Sequence, residues 1–354
     1  MSSQQKILIV GPSWVGDMVM AQALYKLLLR RRPKAELHVL APAWSKSVLE
    51  RMPEISRAIE QPLGHGDFGW RARRSLGRRL SAEGYAQAII LPRSFKSALV
   101  PYFASIPVRT GFRGEWRYGL VNDMRPFDPE VLDQTVKRFV VLGIERAETE
   151  LPAVDNPSLQ VDAQSRGRTL DRFGINSDAD TVALMPGAEF GPAKRWPLKY
   201  FADLASRLAR VGVRVCVLGS AKERELGDAI LTSIDRPGAR NLCGETSLAE
   251  VADLLSAAKV AVTNDSGLMH LAAAVQTYVV ALYGSSSPAF TPPLTDTKRV
   301  FYLNLECSPC FQRHCPLDHF RCMKEISVDT VCSAVVTALG GPLEDSRSNA
   351  RREI

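Results

Sequence analysis

The 354-residue sequence lacks any apolar run near the ~20 residues that a membrane-spanning helix needs. Its opening, MSSQQKILIVG, carries too short an apolar run for the core of a secretion signal and reads as a strand, so a cytoplasmic chain is expected. No zinc-finger spacing and no basic low-complexity tail is present, which argues against a nucleic-acid partner. Neither common nucleotide fingerprint is there. After the first apolar run stands GPSWVGDM, Gly11 to Met18, spaced G-x-x-x-x-G-D. A dinucleotide site needs G-x-G-x-x-G and an acid closing the second strand, but the second strand here ends in APAW. A P-loop needs Gly-Lys-Ser/Thr, which is also missing.

Seven cysteines in a chain of this length make no disulfide scaffold. Four of them, Cys307, Cys310, Cys315 and Cys322, cluster in CSPCFQRHCPLDHFRC beside His314 and His319. The first C-x-x-C would suit zinc, but the following gaps fit no common zinc module; reduced thiols in a compact loop are expected, with zinc as the alternative. Acids are the scarcer charge, 38 against 45 bases, for a net charge of +7 and a pI of about 9.1. That balance fits either a solvated basic surface or an anionic partner.

Short Val/Ile/Leu runs bounded by turn residues alternate with amphipathic stretches along the whole chain. In the first half the runs are KILIVG (6–11), ELHVLAP (36–42), ISRAIE (55–60) and AQAIILP (86–92). In the second they are TVALMPG (181–187), VRVCVLGS (213–220), ARNLCG (239–244), VAVTND (260–265), YVVALYG (278–284) and RVFYLN (299–304). Such alternation predicts parallel sheets with right-handed crossovers, and two sets predict two Rossmann-like α/β domains. The polar stretch 152–178 is expected to be the hinge, with domains at 1–165 and 166–345 and a frayed polar tail at 346–354.

In open α/β sheets ligands sit beyond the carboxyl ends of the strands. At the first such end, the residue types leave a tight turn that presents Asp17 at a helix N-terminus. Its plain reading is an N-cap. Its functional reading is a carboxylate kept ionised by the helix dipole, which repels phosphate but accepts a proton from a hydroxyl. The first domain would then hold a hydroxyl-bearing substrate. TNDSGLMH (263–270) is a strand-to-helix junction whose amides at Ser266, Gly267 and Leu268 would bind an anion such as a diphosphate. Asp265 would hold hydroxyls or cap the helix, and His270 would lie on its first turn. Lys194, in PGAEFGPAKRWP, would neutralise a leaving diphosphate or serve as a solvated cation. Glu223 or Glu225 would hold a ribose and Thr246 a base, or each would be a cap or surface group. Arg93, Lys96, Arg109, Arg113 and Arg117 stand among aromatics between residues 93 and 119, a basic surface suited to an anionic acceptor. RARRSLGRR (71–79) is similar and reads as an ordinary basic face unless the partner is membrane-bound.

GPSWVGDMVM, QPLGHGD, SFKSALVP, PGAEFGPAKRWP, GSAKE, TNDSGLMHLAAA and LYGSSSP, in this order and over nearly the whole chain, resemble the ADP-heptose:lipopolysaccharide heptosyltransferases of glycosyltransferase family 9. The resemblance implies a GT-B fold, two Rossmann-like domains facing across a cleft, with the acceptor in the first and the donor in the second. It implies inversion at the anomeric carbon without an essential metal or cofactor. On the matching positions the catalytic base falls on Asp17 and the phosphate-contacting lysine on Lys194. The donor loop falls on Asp265, Ser266, Gly267, Leu268 and His270, with Glu223 and Thr246 as nucleotide contacts and Lys96, Arg113 and Arg117 in the acceptor region. Ser266 departs from members that carry Thr there, a mild change if the backbone does the binding.

The resemblance is nearest to members that move L-glycero-D-manno-heptose from ADP-heptose onto the first inner-core heptose of lipid A-Kdo-heptose. Members that act on Kdo, one sugar earlier, are the alternative. It also implies a monomer, peripheral at the inner leaflet of the inner membrane. Of other classes, an oxidoreductase is disfavoured by the failed fingerprint. A non-catalytic lipopolysaccharide-binding protein is disfavoured by Asp17 and Lys194 standing at strand ends.

Overall fold

The computed structural model describes residues 5–341 apart from residues 65, 176–178, 233 and 235–237; the expected tail 346–354 lies outside the described residues. The chain divides into two compact units, Met1–Gln160 and Val161–Ile354.

The first unit holds β1 (Lys6–Val10), β2 (Glu36–Pro42), β3 (Ile55–Gln61), β4 (Gln87–Ile90), β5 (Val108–Phe112) and β6 (Asp123–Arg125), in the order β3-β2-β1-β4-β5-β6. The second holds β7 (Thr181–Met185), β8 (Arg214–Val217), β9 (Ala239–Asn241), β10 (Val260–Asn264), β11 (Tyr278–Tyr283) and β12 (Lys298–Tyr302), in the order β12-β11-β10-β7-β8-β9. Every pairing is parallel. Counted within its own unit, each sheet runs 3-2-1-4-5-6, the Rossmann order, so the alternation in the sequence has become two copies of one topology.

Burial explains why the strand runs are continuous rather than alternating. Ile7, Leu8 and Ile9 on β1, and Val260, Ala261 and Val262 on β10, are fully buried because helices cover both sheet faces. The amphipathic stretches form the helices, including Gln22–Arg31, Trp70–Leu80, Leu198–Arg210, Leu248–Ala257 and Gly267–Ala274. Among the described residues, no helix is long and apolar enough to cross a membrane.

Two expectations change. The polar hinge contains a helix, Ala163–Phe173, capped by the Asp162 carboxylate on Ser165 N at 2.7 Å. Ser165 and Thr169 donate hydroxyl hydrogen bonds to the buried Asp253 carboxylate, at 3.1 and 2.9 Å, which ties this helix to Leu248–Ala257 of the second unit. A boundary at residue 165 would cut that helix; the division lies between Gln160 and Val161. In addition, β5 lies within the stretch 93–119 read only as a basic aromatic surface, and with β6 just beyond that stretch it extends the first sheet to six strands.

Candidate functional site

Strand order reverses between β1 and β4 in the first unit and between β7 and β10 in the second. These switch points are where helices diverge to opposite faces and leave a crevice at the strand ends. Asp17 follows β1; Lys194 follows β7; Asp265 to His270 follow β10.

Asp17 is the third residue of the six-residue helix Val15–Met20, whose N-cap is Trp14, so the aspartate is not the cap residue. It lies in the first turn, where a carboxylate is favoured by the dipole, and is half-buried. It lines a cavity of about 940 Å³ that lies wholly in the first unit, a volume suited to a sizeable ligand. Trp14 and Trp44 line the same cavity with 48% and 37% of their surfaces exposed, along with Glu60, Arg73, Arg93 and Lys96. Exposed indole faces beside carboxylate and cationic groups make an amphipathic wall, which suits sugar rings with their apolar faces and polar rims.

The three predicted acceptor cations separate. Lys96 lines the cavity, its Nζ donating to Asp67 O at 3.3 Å. Arg113 is exposed, with its guanidinium 5.7 Å from the Tyr118 ring centre, and does not line the cavity. Arg117 is 1% exposed and donates to Phe112 O (2.6 and 3.1 Å), Pro92 O (2.7 Å) and Ser97 Oγ (3.2 Å). Burial, with Arg93 nearby, lowers its pKa to about 10. It is corrected here from an acceptor contact to an internal clamp, because its N–H groups are spent on the carbonyls that close the 92–117 loops. Arg93 lies in the cavity wall, with its guanidinium 4.5 Å from the Phe127 ring centre.

In the second unit Lys194 Nζ contacts Asp265 Oδ2 at 2.5 Å, across 71 residues of sequence. Their side chains are 17% and 5% exposed, so the pair is largely shielded from water. Thr291 Oγ1 donates to the other Asp265 oxygen at 3.4 Å. Phe190 stacks under the ammonium at 5.0 Å. Asn264 fixes the local geometry: its Nδ2 donates to Pro186 O (2.7 Å) and its Oδ1 accepts from Trp196 N (2.9 Å), which joins the β10 and β7 turns.

The helix Gly267–Ala274 starts immediately after, with Ser266 as an N-cap that makes no side-chain cap bond. Ser266, Gly267 and Leu268 are half-exposed, and the first-turn amides have no intrahelical acceptor. Such an end attracts anions. His270 is buried beneath it; burial, reinforced by Lys194 and opposed by Asp265, lowers its pKa to about 4 and keeps the imidazole neutral near pH 7.

Glu223 is buried in a capping box, its Oε2 accepting from Ser220 N and Ser220 Oγ, both at 2.6 Å. Its other oxygen lies against Gly187, where an added Cβ would come within 2.5 Å, so the glycine lets the carboxylate reach the β7 turn. Glu225 is a first-turn acid of the helix Arg224–Leu231.

Thr246 Oγ1 is buried without a hydrogen-bond partner, as are Ser285 Oγ, Ser286 Oγ and Arg195 Nε. Buried polar atoms are ordinarily paired, so these four, at the strand ends of one sheet, are available to a polar ligand; Tyr25 Oη, in the core of the first unit, is also without a hydrogen-bond partner. The two serines follow β11 in GSSS. They carry no individual signal in the sequence, like Trp14, Trp44 and Glu60, whose common cavity with Arg93 only the fold creates.

Cys307, Cys310, Cys315 and Cys322 line one small cavity of about 20 Å³ with His319, and Cys315 Sγ lies 4.0 Å from His319 Nδ1. All four are free thiols. Burial and the other three raise the pKa of Cys322 to about 11. Among the described residues no three His, Cys, Asp or Glu side chains converge closely enough to hold a metal ion.

The family model for glycosyltransferase family 9 (heptosyltransferase) matches residues 73–321. The chain is 49% identical over 306 residues to lipopolysaccharide heptosyltransferase 2 of Escherichia coli K12, covering 84% of this chain and 88% of that one. It is 32% identical over 334 residues to lipopolysaccharide heptosyltransferase 1 of Pseudomonas aeruginosa, covering 88% and 87%. The solved structure of E. coli ADP-heptose lps heptosyltransferase II superposes with a TM-score of 0.84 at 42% identity, covering 95% of this chain and 98% of that one.

Proposed function

The chain belongs to glycosyltransferase family 9, the heptosyltransferases, and from that premise we propose the reaction it performs and the residues that carry it. It is a heptosyltransferase of lipopolysaccharide core synthesis with the GT-B fold. Its donor is ADP-L-glycero-D-manno-heptose and its acceptor the first inner-core heptose of lipid A-Kdo-heptose. The greater likeness to a heptosyltransferase 2 than to a heptosyltransferase 1 supports this acceptor over Kdo.

The observation that carries the residue roles is the separation of chemistry between the two switch points: an acid in a roomy cavity in the first unit, and cation, amides and orphaned hydroxyls in the second. The acceptor hydroxyl oxygen attacks the anomeric carbon as the bond from that carbon to the ADP oxygen breaks. Asp17 takes the hydroxyl proton, and attack opposite the leaving group inverts the centre. Lys194 and the amides of Ser266, Gly267 and Leu268 balance the charge that gathers on departing ADP. Asp265 holds Lys194 in place before the donor arrives, and the diphosphate then shares the ammonium. Thr246 gives its unpaired hydroxyl to the nucleotide, and Glu223 and His270 support the donor surface. Arg93 and Lys96 meet the anionic acceptor. The enzyme needs no metal ion for this chemistry and works as a monomer at the inner leaflet, where its lipid-anchored acceptor resides.

The test is ADP release from ADP-heptose with two acceptors, one ending in Kdo and one in a single heptose. Turnover with the heptose-ended acceptor alone is expected. Turnover with the Kdo-ended acceptor alone would move the chain one step earlier in core assembly, and a lack of ADP release with both would refute the reaction.

A further inference from the structure

The helix Trp70–Leu80 reads WRARRSLGRRL and contains no acid. It buries Arg73, Leu76, Gly77 and Leu80 and turns Arg71, Arg74, Arg78 and Arg79 outward. A Cβ at Gly77 would come within 2.5 Å of Phe103 Cβ and 2.8 Å of Val100 O. This glycine therefore lets the helix lie directly on the helix Leu99–Phe103. Such contact makes the outward arginine face a rigid feature of the fold.

None of the four outward guanidinium groups is paired to a carboxylate among the described residues. Four like charges on one helix face repel each other, and nothing within the unit repays that cost. The acids flanking this helix in sequence are engaged elsewhere: Asp67 Oδ2 accepts from Gly64 N at 3.1 Å, and Glu83 pairs with Lys6 at 3.4 Å and Arg57 at 2.9 Å.

Beside the arginines runs a strip of aromatic rings. Phe95 and Phe68 stack at 6.4 Å, Phe68 and Trp70 at 6.3 Å; Trp70 meets Phe103 edge-on at 5.0 Å, and Phe103 meets Tyr102 at 5.6 Å. Phe68, Trp70 and Tyr102 each leave about half of their surface in water. The loop held to Phe95 through Glu115 adds Trp116, at 86% the most exposed large apolar side chain among the described residues. A soluble enzyme rarely leaves so many large rings together on its surface without a partner.

Arginines spaced along one face beside exposed Trp, Tyr and Phe match an anionic bilayer surface: guanidinium groups bind headgroup phosphates while rings settle at the level of the headgroups. The strip also reaches the cavity. Arg73 Nε donates to Phe68 O at 2.7 Å, and Lys96 Nζ to Asp67 O; both residues line the wall of the cavity that holds Asp17.

We propose that Arg71, Arg74, Arg78 and Arg79, with Phe68, Trp70 and Tyr102, form a docking face for anionic phospholipid that brings the mouth of the Asp17 cavity to the membrane. The proposal rests on the reading that the acceptor is lipid-anchored, and the experiment separates the two.

The full chain is floated with vesicles of phosphatidylglycerol and, separately, of phosphatidylcholine, with no acceptor present. The same proteins are assayed for ADP release with a delipidated, heptose-ended acceptor oligosaccharide. Binding to phosphatidylglycerol vesicles alone is expected, and it should weaken as salt rises. Each arginine on such a surface strengthens vesicle binding about fivefold, so Arg71→Gln/Arg74→Gln/Arg78→Gln/Arg79→Gln should weaken it on the order of several hundredfold. Phe68→Ser/Trp70→Ser should weaken it while keeping its salt dependence. Both variants should release ADP with the soluble oligosaccharide at the wild-type rate. Equal binding to the two vesicle types, or unchanged binding by the arginine variant, would overturn the proposal. So would loss of soluble-acceptor turnover in either variant, since it would assign the face to the acceptor instead. If no protein, wild type included, turned over the oligosaccharide while vesicle binding behaved as expected, the reaction would be refuted and the docking face would stand.

Discussion

Lys194→Ala tests structure and chemistry together, because the same ammonium neutralises a buried acid and faces the expected diphosphate. Removing it leaves the Asp265 carboxylate, 5% exposed, with only the long Thr291 contact among the described residues. Breaking a shielded pair by deleting one partner costs about 3 kcal/mol, the low end of the usual range because Lys194 itself keeps some contact with water. For a unit the size of Val161–Ile354 this lowers the unfolding midpoint by roughly 9 °C. ADP should also bind roughly 10- to 100-fold more weakly, the worth of one charge-assisted hydrogen bond to phosphate.

The companion variant Lys194→Ala/Asp265→Asn removes the stranded charge. It should recover more than half of the lost stability while ADP binding stays weak, since the cation is still missing. Scanning calorimetry reads the first quantity and titration calorimetry with ADP the second. A Lys194→Ala protein that melts like wild type and binds ADP equally well would refute both roles. Recovery of ADP binding in the double variant would show that Asp265, left alone, repels the nucleotide and that Lys194 only neutralises it.

Three further outcomes follow from the same geometry. Asp17→Asn should keep ADP affinity and lose transfer by at least 100-fold, the usual worth of a general base; a near wild-type rate of ADP release with acceptor would remove Asp17 from the chemistry. Thr246→Val should stabilise the ligand-free protein by about 1 kcal/mol, because an unpaired buried hydroxyl is costly, and weaken ADP binding several-fold; a variant that loses stability without changing ADP affinity would assign the hydroxyl to the fold. His270 has a folded pKa of about 4 against 6.5 unfolded, so the unfolded chain binds the extra proton between those values. Its contribution to stability is complete above pH 6.5 and falls away as pH drops toward 4, by up to about 3 kcal/mol. The difference in midpoint between wild type and His270→Gln should therefore change across that window and stay constant above pH 7; a difference independent of pH would place the titration elsewhere.

The strand pattern was readable where burial on both faces writes itself as unbroken Val/Ile/Leu runs, as on β1 and β10. It was not readable on β5, whose VRTGF carries an arginine and a glycine, or on the three-residue β6. The helix Ala163–Phe173 reads as a hinge in the sequence because only Thr169 of its residues is buried, so no apolar stripe announces it. Turn chemistry located Asp17 and the Asp265–His270 junction from local sequence alone. Arg117 reads as an acceptor contact in the sequence because a cation among aromatics looks the same whether its guanidinium meets a ligand or backbone carbonyls. The distinction lies in residues 92–97 and 112, which the fold brings around it. The Lys194–Asp265 pair, the Trp14–Trp44 wall and the orphaned hydroxyls likewise need the tertiary structure.

Two units of the same strand order present opposite chemistry at equivalent places, and the reason is local. In the first unit the acid stands inside the first turn of the helix after β1, so a phosphate at that helix end would meet a like charge, which favours the proposed proton acceptor there. In the second unit the helix after β10 has no acid in its first turn; the acid precedes it and is held by Lys194. Shifting a carboxylate by a few positions relative to the helix start, and giving it a lysine from the neighbouring β7 turn, is what divides the proposed base site from the proposed anion site. The pairing of Asp265 is therefore as much a part of the proposed nucleotide recognition as the amides that follow it.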